Sequence, residues 1–122
     1  MNNRELVRKV IDEVFNARDL THLDEYMRED YMQHSIEVPD GREGFRQFCQ
    51  GFFRLEPFMD VKQMYEADGD KVAVFFQCRF NNGHCAKVVD MYRIQDGKLA
   101  EHWDVVQHLN EDDAAVNGRG SF

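Results

Sequence analysis

From Asn3 to Arg18 the apolar residues Leu6, Val7, Val10, Ile11, Val14 and Phe15 return at three- and four-residue steps, a period that predicts a helix with one buried stripe. Asp19 is suited to cap a second, short helix carrying Leu20, Leu23, Tyr26 and Met27, since a short carboxylate can bond the exposed N–H groups of a helix start. The helical period is lost over Asp30-Tyr31-Met32-Gln33-His34, which reads as a short strand. Pro39-Asp40-Gly41 is turn chemistry, and a third helix follows with Phe45, Phe48, Cys49, Phe52 and Phe53 on one face, ending near Glu56-Pro57.

Downstream the spacing changes character. Asp60 to Ala67, Lys71 to Asn81, Cys85 to Gln95 and Lys98 to His108 read as strands, joined through Asp68-Gly69-Asp70, Asn81-Asn82-Gly83 and Asp96-Gly97. Such short polar connections predict an antiparallel meander. The fold class expected is α+β: three N-terminal helices packed on a strongly curved, mostly antiparallel sheet, forming a cone-shaped α+β barrel closed by the helices on one side. Residues 1–109 form a single domain in this reading, and 110–122, rich in Asn, Asp and Gly, a flexible C-terminal tail.

The register of the last hairpin decides which side chains share a face, because a slip of one residue reverses a strand's faces. A two-residue Asp96-Gly97 turn would pair Asp90 with Trp103. A three-residue Gln95-Asp96-Gly97 loop with Gly97 left-handed would pair Asp90 with His102 and Ile94 with Lys98. The second is preferred, because it aligns Asp90 and Tyr92 with His102 and Asp104 on one face.

Composition narrows the function. At 122 residues, with 43% hydrophobic content, the chain fits one domain with one core. The net charge of −8, from 23 acidic against 15 basic residues spread along the chain, argues against a nucleic-acid partner. Cys49, Cys78 and Cys85 are an odd number without metal-ligand spacing, which fits free thiols in a reducing compartment and a cytoplasmic protein. No apolar run approaches the roughly 20 residues needed to cross a bilayer, and the polar start does not read as a signal peptide. Asp90 is the chemical anomaly, a carboxylate among Val88, Val89 and Tyr92, where burial demands that it be paired or protonated. His102 and Asp104 alternate with Trp103, so the first two share a face and the indole takes the other.

The run Val88-Val89-Asp90-Met91-Tyr92-Arg93-Ile94, followed by Asp96-Gly97-Lys98-Leu99-Ala100-Glu101-His102-Trp103-Asp104, resembles the terminal hairpin of SnoaL-like proteins, a branch of the nuclear-transport-factor-2-like superfamily that includes bacterial polyketide cyclases. Tyr31-Met32-Gln33-His34 and Val38-Pro39-Asp40-Gly41-Arg42-Glu43-Gly44-Phe45 resemble the entry to that family's third helix. The resemblance implies an acid/base residue on the last strand, which maps to Asp104. Through the distantly similar ketosteroid isomerases it also implies a hydrogen-bond-donating carboxylic acid at Asp90 and a general base at His34. Ile11 stands where those isomerases carry a tyrosine donor, so that half of their oxyanion hole is missing.

The expected activity is therefore proton transfer next to a carbonyl, either isomerisation or intramolecular aldol closure. His34 or Asp104 serves as base, Asp90 as acid, and His102 stands beside them. Phe15, Tyr26, Phe48, Phe52 and Tyr92 are expected to enclose a small apolar carbonyl-containing ligand. The alternative is a binding protein of the same fold without chemistry. Epoxide hydrolysis lacks a clear Asp-Arg-Asp constellation. His34, Asp90, His102 and Asp104 are of metal-binding types but show no close-spaced ligand motif, so neither metal nor cofactor is expected. Val89, Met91 and Trp103 on the outer sheet face are expected to join two copies as a homodimer.

Overall fold

The computed structural model describes residues 1–110 and 116–122. Helix α1 (Asn3–Lys9) begins at Asn2, whose Oδ1 accepts from the Glu5 N–H at 2.8 Å while its Nδ2 donates to Glu5 Oε1 at 2.9 Å. These reciprocal bonds satisfy a helix start that would otherwise expose its donors. The single helix expected to Arg18 instead widens into a π-helical stretch, Val10–Asn16, still burying Val10, Ile11, Val14 and Phe15. Apolar spacing alone does not separate the two hydrogen-bonding patterns.

The second helix is shorter than its apolar pattern suggests. Helix α2 (Leu23–Tyr26) stops because Met27 already belongs to strand β1 (Met27–Gln33), opposite Leu99. Asp19 bonds the Thr21 N–H at 2.9 Å instead of capping that helix. Helix α3 (Gly41–Phe52) runs into a 3₁₀ turn, Phe53–Leu55, and ends at Glu56 with φ 47° before Pro57. Gly44 is needed early in α3, since a Cβ there would come within 2.6 Å of the Pro39 carbonyl oxygen.

Strands β2 (Phe58–Ala67), β3 (Lys71–Arg79), β4 (Cys85–Gln95) and β5 (Lys98–Leu109) form the expected antiparallel meander. β1 adds to β5 in parallel, giving the order β1-β5-β4-β3-β2 in one curved, mixed sheet. The core lies between its concave face and the helices. Val72, Val74, Phe76 and Cys78 of β3 and Ala86, Val88, Tyr92 and Ile94 of β4 point inward against Ile11, Val14, Leu23 and Cys49.

The β4–β5 register corrects the one expected from sequence. Asp96 (φ 53°) and Gly97 (φ 76°) are both left-handed, so the turn closes with two residues and Gln95 faces Lys98. The extra residue is absorbed in the strand, where pairing slips between Arg93 and Ile94 around Ala100. Asp90 therefore lies opposite Asp104, not His102, and Tyr92 opposite His102. From Glu101 onward the displacement is by two positions, an even number, so those side chains keep the face expected of them. Lys98 and Leu99, before the bulge, are displaced by one and exchange faces.

No helix among the described residues is long and apolar enough to cross a membrane. Part of the C-terminal tail expected over 110–122 lies outside the described residues. Residues 116–122 contain no helix or strand, and the Phe122 ring sits 5.9 Å from that of Phe75.

Candidate active site

Between the concave sheet face and α3 lies a cavity of about 470 Å³. Its floor is apolar, with Phe15, Phe45, Phe48, Phe52, Phe76 and Phe80 among the lining residues. Phe48 and Phe52 stack at 4.9 Å, and Phe80 meets Phe52 edge-on at 5.9 Å. Polar groups enter from β1, β4 and β5 and the segment after β1. A wider surface concavity is lined by Arg28, Glu29, Asp30, Arg42, Asp96 and Lys98. Its three cations are balanced by three acids, and Arg28 pairs with Asp30 at 2.8 Å and Asp96 at 3.2 Å, so the concavity presents no net charge.

Asp90 is 5% exposed and His102 7%. Asp90 Oδ2 accepts from the Tyr92 hydroxyl at 2.9 Å, and Oδ1 lies 3.1 Å from His102 Nε2. That second contact is close enough for an ion pair but not aligned as a full hydrogen bond, which leaves Nε2 capacity for another partner. Burial alone would push the His102 imidazole down. The charge of the nearby Asp90 carboxylate, and that of Asp104 more weakly, outweigh it and raise the affinity for the proton.

Asp104 stands across the ladder from Asp90, half-buried at the cavity wall. Burial lifts its carboxyl above the ordinary carboxylate range; His102 and a hydrogen bond from Ser35 act against this, and the Asp90 charge adds to it. A carboxylate lifted toward neutrality is a stronger base than a solvated one. Asp90, His102 and Asp104 each offer one ligand atom within a 4.8 Å span, so a donor set that sequence spacing does not reveal comes together here across two strands.

The other expected site residues divide. Phe15, Phe48, Phe52 and Tyr92 line the cavity. Tyr26 does not; it is buried elsewhere in the core, where desolvation and a hydrogen bond with Glu13 raise its hydroxyl to about 12. Its helical period is shared by residues that face the core and residues that face a cavity, and only the third dimension separates them. His34 contributes to the cavity rim, but its ring turns outward, with Nε2 2.7 Å from Glu101 Oε2 and the plane stacked on Trp103 at 5.1 Å. The reason is strand alternation: Gln33 pairs in parallel with His102 and takes the inner face, so its neighbour takes the outer one.

Of the polar cavity residues not singled out from sequence, three bear on the Asp90–His102–Asp104 group. Tyr31, 2% exposed, has its hydroxyl held well above its usual value by burial first and then by the Asp90 and Asp104 charges, so it stays a proton donor. Gln33 accepts from His102 Nδ1 at 2.6 Å if that nitrogen carries the proton. Ser35 bonds Asp104. The period-two alternation of β1, with Tyr31 and Gln33 two residues apart, was the available signal. Burial pushes the Cys49 and Cys78 thiols up to about 12, which makes both packing residues and not nucleophiles.

No curated protein sequence matches the chain significantly. Among solved structures, IdmH, a candidate polyketide cyclase from Streptomyces antibioticus, is 22% identical, with TM-score 0.73 over 87% of this chain and 92% of that one. A candidate ketosteroid isomerase from Kribbella flavida is also 22% identical, with TM-score 0.75 over 92% and 82%. TsrD from Streptomyces laurentii is 21% identical, with TM-score 0.69 over 87% and 90%. At these identities the likeness is one of fold. The SnoaL-like domain family matches residues 7–102, and with that match over most of its length the chain belongs to the SnoaL-like family of the nuclear-transport-factor-2-like superfamily.

Proposed function

We propose that this protein catalyses proton transfer at a carbon next to a carbonyl in a small, largely apolar and aromatic substrate. The observation that carries this reading is the placement of one buried acid–imidazole pair, Asp90 and His102, directly beside a half-buried carboxylate, Asp104, in an otherwise apolar cavity. Asp104 removes the proton from carbon. The electron pair moves onto the carbonyl oxygen, which takes a hydrogen bond and then the proton held between Asp90 and His102. Isomerisation ends when Asp104 delivers the abstracted proton to a different carbon while the enol oxygen returns its own to the Asp90–His102 pair and the carbonyl re-forms. Aldol closure ends instead with a carbon–carbon bond to a second carbonyl, whose oxygen takes the proton from Asp104 as the enol oxygen returns its own to the pair. The phenylalanine floor holds the ring system and excludes water, so the few polar groups act in a low dielectric.

The test is hydrogen–deuterium exchange next to the carbonyl of a bicyclic aromatic ketone, 2-tetralone, followed by NMR in D₂O. The wild-type protein accelerates exchange over buffer and Asp104→Asn does not. A chelator leaves the rate unchanged; loss that zinc restores would replace this mechanism by a metal centre at Asp90, His102 and Asp104. Saturable binding of the ketone without any exchange would favour a ligand-binding protein.

Two further expectations accompany the reading. A cytoplasmic setting fits three free thiols. A second copy fits the outer sheet face, where Met91 and Val105 are exposed, and sedimentation at micromolar concentration would return twice the monomer mass.

A further inference from the structure

We infer that Gln33 is a positioning residue that fixes the ring of His102, so that the imidazole gains and loses its proton only at Nε2, the nitrogen beside Asp90. This deepens the proposed proton-transfer reading and rests on it for its functional meaning, but the lock itself is a property of the resting protein. Gln33 ends β1, and its parallel pairing with His102 sets the two side chains next to each other on the cavity face. Its Oε1 stands 3.1 Å from the His34 N–H, 3.0 Å from the Ser35 N–H and 2.6 Å from His102 Nδ1.

The first two donors settle what the third must be. A backbone N–H can only donate, and an amide nitrogen cannot accept, so the atom that faces both backbone groups is the oxygen. The amide orientation is thus fixed by chemistry, without appeal to how the two amide atoms are assigned. An oxygen with no proton of its own, 2.6 Å from Nδ1, requires that Nδ1 carry the hydrogen. The exchangeable position is then Nε2, which lies 3.1 Å from Asp90 Oδ1 and has no fully aligned partner. The hydrogen bond made by one ring nitrogen decides the state of the other.

An amide does this differently from a carboxylate. Asp90 already places one negative charge against the ring and Asp104 a second nearby. A third at position 33 would raise the ring's proton affinity further, whereas the neutral amide orients the ring without adding charge.

The experiment measures the ring nitrogens of His102 by ¹⁵N-detected NMR, together with exchange of 2-tetralone, in wild type, Gln33→Leu and Gln33→Glu. In wild type the neutral ring is the Nδ1–H form. In Gln33→Leu the Nε2–H form appears, and kcat falls about 10- to 100-fold, the loss seen when metal-bound histidines lose their ring-orienting partner, while KM stays within about two-fold because the cavity floor is intact. Gln33→Glu restores the Nδ1–H form and most of the kcat, with the alkaline limb of the pH profile moved upward. A neutral Nε2–H ring in wild type would overturn the inference. So would an unchanged tautomer in Gln33→Leu. If Gln33→Leu fails to fold, the wild-type tautomer and the upward limb in Gln33→Glu still decide the matter. If wild type exchanges no substrate yet holds the Nδ1–H form and Gln33→Leu loses it, the lock stands and the reaction reading alone falls.

Discussion

On opposite faces of β5 the chain builds two histidine–carboxylate pairs. Outside, His34 Nε2 meets Glu101 Oε2 at 2.7 Å, with Arg93 sharing the same carboxylate at 2.9 Å. Inside, His102 Nε2 meets Asp90 Oδ1 at 3.1 Å. The outer contact is shorter, yet the His34 side chain is 47% exposed, and water and salt screen such a pair to about 0–1 kcal/mol. The inner pair is almost fully buried, and there its charges act at full strength on each other and on whatever occupies the cavity. The contrast teaches that burial, and not contact length, decides which of two like pairs can do chemistry.

The sharpest way to break this comparison is to remove the base it assigns to the inner face. Asp104→Asn should lower the exchange rate by about 10²- to 10⁴-fold, the range for a lost general base. The same variant should be more stable than wild type at pH 8 and no different at pH 3. The sign follows from the raised carboxyl: ionising Asp104 costs the folded state as pH rises above the ordinary carboxylate range, and Asn lifts that cost. Next in size is a stability difference between the faces. Asp90→Ala strands the His102 and Tyr92 donors in the core and should cost roughly 3–5 kcal/mol in urea unfolding, whereas Glu101→Ala should cost about 0–1 kcal/mol. Equal losses would mean that both faces are solvated alike.

Much of this contrast was legible in the sequence because it rests on a period of two. Alternation alone places Asp90, Tyr92, His102 and Asp104 together, and it survives the misjudged turn because the displacement was even. The turn was misjudged because Asp96 accepts a left-handed conformation that glycine usually supplies, moving the extra residue from the loop to Ala100. His34 and Tyr26 were harder for a different reason. The face taken by β1 depends on its parallel partner β5, a contact made across almost seventy positions of chain, and no local pattern announces it. The role of Gln33 was hidden likewise, since an amide is unremarkable until its three donors are seen around it.

The pH profile sharpens the comparison further. Activity needs Asp104 ionised and His102 protonated, so kcat/KM should be bell-shaped. Its acid limb should lie above the ordinary carboxylate range and its alkaline limb above the ordinary imidazole value. Asp90→Asn removes the charge that outweighs burial at His102, leaving desolvation to dominate, so the alkaline limb should move to lower pH. Glu101→Gln, on the outer face, should leave both limbs in place. An alkaline limb that followed Glu101 and ignored Asp90 would transfer the acid's role to the outer pair.

The smallest expected effect is also the one that separates the two candidate bases. His34 occupies the position that the isomerase comparison gives to a general base, but its ring is committed to Glu101 and to the face of Trp103. For His34 to act as base, its ring would have to leave both partners and rotate past the end of β1 into the cavity. His34→Ala should therefore change the exchange rate by less than about three-fold, within what a surface substitution does, and lower stability by no more than about 1 kcal/mol. The backbone N–H of residue 34, which bonds the His102 carbonyl at 3.1 Å and the Gln33 side chain, survives the substitution. A loss as large as that of Asp104→Asn, with the His102 tautomer unchanged, would mean that the ring does swing inward during turnover, and the base would then be His34.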